Sequence, residues 1–249
     1  MREVPENNQF TPYTHSLTVA GPAGTFSTKC ARCEARLHTV CGALPIEDLG
    51  RLSAIAVPLT LPAGRRFITE GDAAAHFFTV SSGTAMLVKG LADGRRQVTG
   101  FAGVGHFLGL AVANTYSFSA EAVDDTRVCR YSRVQLNTLL ADAPAMRQRI
   151  MDIASNELVA AQAQMLLLGR KTARERLATF LTGLAPRADG AVATPMTRRD
   201  IADYLGLTIE TVCRTLTRMQ REGLIRMQGS ARTVIVDRPA LRALAGDEA

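Results

Sequence analysis

The chain has 249 residues, 47% of them hydrophobic, which is enough for two modest domains with their own cores and excludes a disordered tail. Its formal net charge of +6 permits nucleic-acid binding without proving it. The apolar runs fall far short of the roughly 18 residues that cross a bilayer, and the N-terminus lacks a continuous apolar segment, so we expect a cytoplasmic protein with no membrane partner.

Residues 1–48 form a polar, proline-containing arm with three clustered cysteines. Cys30, Cys33 and Cys41 follow the spacing Cys-x2-Cys-x7-Cys, and Cys129 lies far downstream. Three thiols on one short segment, with a fourth from a distant strand, can surround one inorganic centre. In a reducing cytosol, such a cluster suits metal ligation better than disulfides. The pattern predicts a metal site that organises an otherwise loosely ordered arm.

Two other interpretations of these cysteines stay open. Cys-x2-Cys is also common in zinc knuckles, where His38 or His15 could replace Cys129 as the fourth ligand. A solitary cysteine in a strand-like stretch, as Cys129 is, ordinarily fills a small space in a core.

Residues 49–142 consist of short apolar stretches separated by glycines. Turn signals this regular favour an antiparallel barrel or roll, with a hairpin turn at Asp93-Gly94. His76 and His106 fall among these turns and strands, where hydrogen-bonded structural histidines are expected. The sequence contains no Gly-rich phosphate loop followed by Lys, no His-Glu metal helix and no nucleophile elbow, so we do not expect an enzyme.

Residues 143–169 predict one long helix, because the stretch from Ala145 to Leu168 has no Gly or Pro. Met151, Leu158 and Met165 recur every seven residues and are candidates for a homodimer interface. The alternative is that this row packs on the β domain of the same chain. Both packings can hold on different faces of one helix.

Residues 170–249 carry a helix-turn-helix pattern. Thr197 and Asp200 resemble a capping box that opens a short helix, Gly206 makes the turn, and Thr208 caps a second helix that ends near Gly223. The second helix has a predicted buried face with the 3, 4, 3 spacing: Ile209, Val212, Leu216 and Met219. A β-hairpin wing is expected around Gly229-Ser230.

The exposed face of the second helix predicts contact with double-stranded DNA. Glu210, Cys213 and Arg214 are related as i, i+3 and i+4, so all three enter a major groove together as base-reading residues. The region from Lys171 to Arg238 has twelve Lys or Arg against seven Asp or Glu. Candidates for phosphate contacts are Arg198, Arg199, Arg218 and Arg221. The alternative is an ordinary solvated polar face.

This order of a glycine-rich β-roll containing "EGD", a long helix and the stretch "RRDIADYLGLTIETVCRTLTRMQREGLI" resembles the Crp-Fnr family of bacterial transcription regulators, over nearly the full chain. The resemblance implies an α+β fold. That fold comprises an antiparallel β-roll of the cupin-like, cyclic-nucleotide-binding type, a dimerisation helix and a C-terminal winged helix-turn-helix.

The cysteine spacing is similar to that of the Fnr, FnrN and FixK branch, which implies that Cys30, Cys33, Cys41 and Cys129 hold an oxygen-labile 4Fe-4S cluster. The resemblance further implies a homodimer that binds a TTGAT-N4-ATCAA-like palindrome. It also implies that the dimer recruits RNA polymerase under low oxygen, mainly as an activator. The first expectation for the controlled genes is nitrogen fixation or high-affinity respiration. The branch's Glu-x-x-Ser-Arg motif falls on Glu210, Cys213 and Arg214. Cys213 replaces the commoner serine, and we hypothesise that its oxidation controls DNA binding; the alternative is a cysteine tolerated in place of serine.

The cyclic-nucleotide branch resembles this chain in fold but needs a Gly-Glu pair for the ribose and an Arg before Ser-Ala for the phosphate. Here the matching stretches are Gly109-Leu110 and Phe118-Ser119-Ala120. A buried phosphate opposite these apolar side chains has no charge partner, so we expect no cyclic nucleotide. A zinc-stabilised or thiol-redox regulator with an unknown signal is the alternative to the oxygen sensor.

Overall fold

The computed structural model describes residues 29–111, 114–184, 191–229 and 232–246. They form two compact units. The roll unit holds the described residues of 12–89 and 101–156, and the helical unit holds those of 90–100 and 157–249. Two residues named in the sequence predictions, His15 and Ser230, lie outside the described residues.

The described helices are α1 (Leu49–Ile55), α2 (Arg133–Ala141), α3 (Pro144–Arg170), α4 (Ala173–Gly183), α5 (Arg198–Leu205), α6 (Ile209–Arg221) and α7 (Arg238–Ala245). Short 3-10 helices precede α1 at Arg36–His38, Val40–Ala43 and Ile46–Asp48. The described strands are β1 (Ala56–Leu61), β2 (Arg66–Ile68), β3 (His76–Ser82), β4 (Ala85–Gly90), β5 (Arg96–Ala102), β6 (Phe107–Leu108), β7 (Ser119–Ala122), β8 (Thr126–Ser132), β9 (Ala191–Ala193), β10 (Ile225–Met227) and β11 (Arg232–Ile235).

The predicted β-roll is confirmed as two four-stranded antiparallel sheets. Their strand orders are β1-β8-β3-β6 and β2-β7-β4-β5. Strand β8 lies between β1 and β3, and the register places Cys129 opposite Pro58 and Thr79. The turn between β4 and β5 contains Gly94 at φ +84°, a conformation that glycine adopts without strain. The predicted Asp93-Gly94 turn therefore lies where the spacing indicated.

Two hydrophobic clusters lie on opposite faces of the sheet that contains β8. Phe78 and Val128 belong to the cluster in the roll interior. Phe77 and Tyr131 belong to a second cluster, formed with the 3-10 segment, α1, α2 and the start of α3. Alternation along a strand sends odd and even positions to opposite faces, which explains this division. Cys129 packs partly buried against the second cluster, beside Tyr131.

Helix α3 has 27 residues and is about 40 Å long at the usual rise per residue. One flank of its first turns is buried, with Met146 0% and Ile150 8% exposed in the second cluster. The heptad row is exposed instead: Met151 is 58%, Leu158 62% and Met165 65% accessible. One flank thus packs within the roll unit while the row predicted to form a dimer interface remains open.

The helical unit has the predicted winged arrangement. Its antiparallel sheet has the order β10-β11-β9, and β10 and β11 pair from Ile225 opposite Ile235. Helix α4 begins with a complete capping box, in which Thr172 and Glu175 each accept from the other's backbone N–H. Together with the roll, these elements confirm the fold class predicted from the sequence. No helix in the described ranges is long and apolar enough to cross a membrane.

Candidate nucleic-acid interface and candidate metal centre

Helix α5 and the turn after it form as the sequence predicts. Thr197 accepts a hydrogen bond from the backbone of Asp200, whose carboxylate accepts from the backbone N–H of Thr197 at 2.9 Å. The helix ends at Gly206, which adopts the left-handed conformation at φ +61°. A Cβ at this glycine would also come within 3.3 Å of Leu168, so both backbone conformation and space favour glycine.

Helix α6 buries three of the four positions predicted for its apolar face. Val212 is 0%, Leu216 2% and Met219 0% exposed, and the Thr208 side chain caps the helix by accepting from the Thr211 backbone. The fourth prediction, Ile209, is wrong, because this side chain is 40% exposed. Ile209 is the first residue of α6, so its side chain lies at the end of the buried face and not within it.

The opposite face of α6 presents the three predicted base-reading residues to solvent. Glu210, Cys213 and Arg214 are all exposed. The pKa of Glu210 is lowered, first by its own backbone N–H and then by the Thr208 hydroxyl, so its carboxylate is an acceptor at neutral pH. A carboxylate acceptor and a guanidinium donor therefore lie on the same exposed face of α6, which can enter a DNA major groove.

The candidate phosphate-contacting arginines differ in their present partners. Arg199 and Arg221 are exposed, while Arg198 Nη2 lies 3.5 Å from the Met227 sulfur. Arg218 donates to Glu222 at 2.9 Å across one helical turn, and its side chain is 66% exposed. Surface pairs of this kind contribute only about 0.3–0.5 kcal/mol, so exchange of Glu222 for a DNA phosphate costs Arg218 little.

One contact of α5 was missed by sequence reasoning. Arg96, at the start of β5 and within the helical unit, donates to Asp200 and to Asp203, at 2.7 Å each. The next residue, Gln97, donates to the backbone carbonyl of Tyr204 at 3.2 Å. Nothing in local spacing indicates these contacts, since more than a hundred positions separate the partners.

The roll unit brings the four predicted metal-ligating cysteines together. Cys30 and Cys33 share a tight turn, and Cys41 lies in the second 3-10 helix, where its backbone donates to the Thr39 hydroxyl. Cys30 and Cys41 are buried in the second cluster, and Cys129 reaches the same cluster from β8. Cys33 is partly exposed, and all of the cysteines are free thiols.

Burial and the neighbouring thiols both affect the pKa values of Cys30, Cys41 and Cys129. Burial raises the pKa of Cys30 and of Cys41, and repulsion from neighbouring thiols adds to the shift. Burial raises the pKa of Cys129 to about 11, and Cys41, Cys33 and Cys30 contribute in that order. Burial without a cation favours protonated thiols here, whereas a bound metal favours thiolates.

Tyr131 is a residue of this site that sequence reasoning missed. Its hydroxyl lies 3.5 Å from the Cys41 sulfur, and the ring is 1% exposed. Burial raises the pKa of Tyr131 well above its ordinary value, and the Cys41 and Cys129 thiols add to the rise. Its position two residues after Cys129 is a signal available in the sequence, since i and i+2 share one face of a strand.

The donor set fits an iron–sulfur cluster in type and number. Cys30, Cys41 and Cys129 share one apolar cluster, and the turn at Cys30 places the partly exposed Cys33 beside it. In the described residues, no three His, Cys, Asp or Glu side chains are close enough together to hold a single metal ion. His106 has the structural role expected for it, with Nδ1 3.1 Å from the Gly103 carbonyl oxygen.

The positions that would bind a cyclic nucleotide are occupied by packed apolar side chains. Phe118 packs against the cluster in the roll interior, and Leu110 packs against the second cluster. A Cβ at Gly109 would lie 2.7 Å from the His76 carbonyl oxygen, and its φ of +96° also requires glycine. Glycine at this position thus has a structural reason that is independent of any ligand.

Comparison with known proteins gives two domain matches. Residues 175–244 match the Crp-like helix-turn-helix domain, and residues 58–143 match the cyclic nucleotide-binding domain.

Several relatives match most of the chain. The nitrogen fixation regulation protein FixK of Bradyrhizobium diazoefficiens is 38% identical over 216 residues, which are 84% of this chain and 90% of that protein. The transcriptional activator protein FnrL of Cereibacter sphaeroides is 34% identical over 235 residues, 90% of this chain and 94% of that protein. The solved structure of FixK2 from Bradyrhizobium japonicum has a TM-score of 0.74 and 34% identity, covering 78% of this chain and all of that one. These relatives are transcription regulators and not enzymes.

Proposed function

This chain belongs to the Crp-Fnr family of DNA-binding transcription regulators, and from that premise we propose that it is an oxygen-responsive activator whose four cysteines hold a 4Fe-4S cluster. The observation that carries the proposal is that Cys30, Cys41 and Cys129 meet in one apolar cluster, with Cys33 held beside Cys30 by a turn. Conversion of Cys30, Cys41 and Cys129, which lie in apolar surroundings, to thiolates is unfavourable unless a cationic centre compensates their charge. A bound cluster would supply that charge and would make the site sensitive to oxygen.

The arm and the long helix share one packed cluster, which suggests how the signal reaches the dimer interface. Cys30 and Cys41 lie in the same cluster as Met146 and Ile150 of α3. While these cysteines ligate a metal centre, they tie the arm to the first turns of the helix. When oxygen destroys the centre, the helix loses part of this support. A change of about 1–3 kcal/mol in the monomer–dimer balance shifts DNA occupancy by one to two decades.

A homodimer is supported by the exposed heptad row of α3. Met151, Leu158 and Met165 present an apolar seam at coiled-coil spacing, which a second copy of the chain would cover. Two copies present two α6 helices to half-sites one helical turn apart, so the expected DNA site is a palindrome of the TTGAT-N4-ATCAA kind. RNA polymerase is the expected partner at the promoter.

Contacts to bases follow from the chemistry of the exposed face of α6. Arg214 would donate two of its guanidinium N–H groups to guanine, Glu210 would accept from cytosine, and Cys213 would contact a thymine methyl group. Two of the relatives are named nitrogen fixation regulation proteins. They suggest that the controlled genes are expressed at low oxygen and serve nitrogen fixation or high-affinity respiration.

Metal content measured under anaerobic conditions tests the proposal. We expect about four iron and four acid-labile sulfide per chain, with a broad visible absorbance that bleaches when air is admitted. Cys129→Ser should lose most of this iron and sulfide. Cys213→Ser is the matched control and should keep both, because Cys213 lies on the exposed face of α6. Zinc without sulfide, and no change in air, would instead leave a zinc-stabilised or thiol-redox regulator.

A further inference from the structure

The Tyr131 hydroxyl lies among the thiols of the candidate metal centre. It is 3.5 Å from the Cys41 sulfur. Cys129 and Tyr131 occupy positions i and i+2 of β8, so both side chains leave the sheet on the face that carries the arm. One polar group on the strand that carries Cys129 thus contacts a thiol of the arm.

Packing alone does not explain the hydroxyl. The Tyr131 ring fills space in the second cluster between the sheet and the helices, and phenylalanine would fill nearly the same volume. Burial of a hydroxyl is unfavourable unless it finds a hydrogen-bond partner. The Cys41 sulfur is the partner that the fold supplies.

We propose that Tyr131 is a positioning residue of the metal centre, whose hydroxyl donates a hydrogen bond to a ligating cysteine sulfur. In the thiol state either atom of the Cys41–Tyr131 pair could be the donor. A metal-bound thiolate has no proton, so the direction is then settled and the phenol donates. This bond orients the sulfur and withdraws electron density from it, and outer groups of this kind control both metal affinity and reduction potential.

The inference rests on the proposed metal site, and two variants separate the hydroxyl from its surroundings. Tyr131→Phe removes the oxygen and keeps the ring. Tyr116→Phe is the matched control, because its hydroxyl is also in the roll unit and bonds both backbone groups of His76, at 2.8 and 3.1 Å. Tyr116 belongs to the cluster in the roll interior, on the other face of the sheet from the thiols.

The full chain and both variants are compared under anaerobic conditions, with iron, sulfide and zinc measured first. The rate of metal loss to an excess of chelator is then followed, together with the midpoint potential of the loaded protein. We expect Tyr131→Phe to assemble the centre but to lose metal about tenfold faster than the parent, with a more negative potential. Tyr116→Phe should match the parent in both.

Each outcome decides the proposal. Equal rates and potentials for Tyr131→Phe and the parent would overturn it, as would an equal acceleration in Tyr116→Phe, which would indicate general loosening of the roll. If the parent holds zinc without sulfide, the oxygen-sensing proposal fails, while the comparison of zinc release rates still tests Tyr131. A parent that binds no metal would overturn both.

Discussion

Nη2 of Arg96 lies 2.7 Å from Oδ1 of Asp200, although 104 positions separate the two residues in the chain. Asp200 is the same residue that completes the capping box of α5, so one carboxylate joins the β5 strand start to the first helix of the helix-turn-helix. The Asp200 side chain is only 10% exposed, and the Arg96 side chain 30%.

Removal of this guanidinium should destabilise the helical unit. We expect Arg96→Ala to lower the free energy of unfolding by about 1–3 kcal/mol, less than for a fully buried pair because Arg96 is partly exposed. Arg95→Ala is the control, since its pair with Asp93 is 76% and 51% exposed and should cost under about 0.5 kcal/mol. Urea unfolding of both variants measures the difference, and equal losses would contradict the prediction.

A charge in the heptad row should prevent dimer formation. Leu158 is 62% exposed within one chain, so Leu158→Glu leaves the fold intact but places two carboxylates opposite each other in a dimer. Sedimentation of the metal-loaded protein should find monomers with unchanged iron and sulfide. The control is Asn156→Glu, an exposed position on the opposite side of α3, which should remain dimeric. A dimeric Leu158→Glu variant would show that the dimer interface does not include this row.

Loss of a base-reading residue and loss of a phosphate-contacting residue should have different effects in DNA titrations. Arg214→Ala should reduce discrimination at one base pair by about 1–3 kcal/mol, because the bidentate contact with guanine is lost. Arg221→Gln should weaken binding to all sequences alike and lower the slope of log affinity against log salt by about 1. Competition between the palindrome and its single-base variants measures the first effect, and a salt series measures the second. An Arg214→Ala variant with unchanged sequence preference would exclude that residue from base reading.

The capping box of α4 should make stability depend on acid pH. The backbone N–H and hydroxyl of Thr172 hold the pKa of Glu175 below its usual 4.5. Because the folded pKa is depressed, the stabilisation is present above pH 4.5 and is lost as pH falls through the lower folded value. Glu175→Gln, which carries no charge, should therefore lose less stability than the parent on acidification. Urea unfolding from pH 6 to pH 3 checks this, and parallel curves would contradict it.

Oxidation of Cys213 is the hypothesis for direct redox control of DNA binding. Its thiol is exposed on the recognition face, so peroxide can reach it and add bulk or charge against DNA. We expect the parent to lose DNA affinity after peroxide treatment and Cys213→Ser to keep it. Iron and sulfide are measured in parallel, and the two proteins are compared at peroxide doses at which both keep their metal, so that loss of the centre does not contribute. Equal losses would show that Cys213 is not the switch.

The sequence alone indicated the features that depend on neighbours within a few residues. Thr197 and Asp200 form a capping box within one helical turn, and Gly206 ends α5 because only the residues around it determine its backbone conformation. The cysteine spacing of the arm and the heptad row of α3 could likewise be identified from the sequence alone. The prediction failed at Ile209, where periodicity gave the right face but the position lies at the helix end.

Only the tertiary structure decided which distant residues meet. Cys41 and Tyr131 are 90 positions apart, and their contact depends on the arm packing against the face of β8 that carries odd-numbered side chains. The pairing of Arg96 with Asp200 likewise depends on where β5 begins relative to α5. Local spacing determines backbone hydrogen bonding and the face on which a side chain lies, whereas burial of apolar surface across the whole unit determines which faces come together.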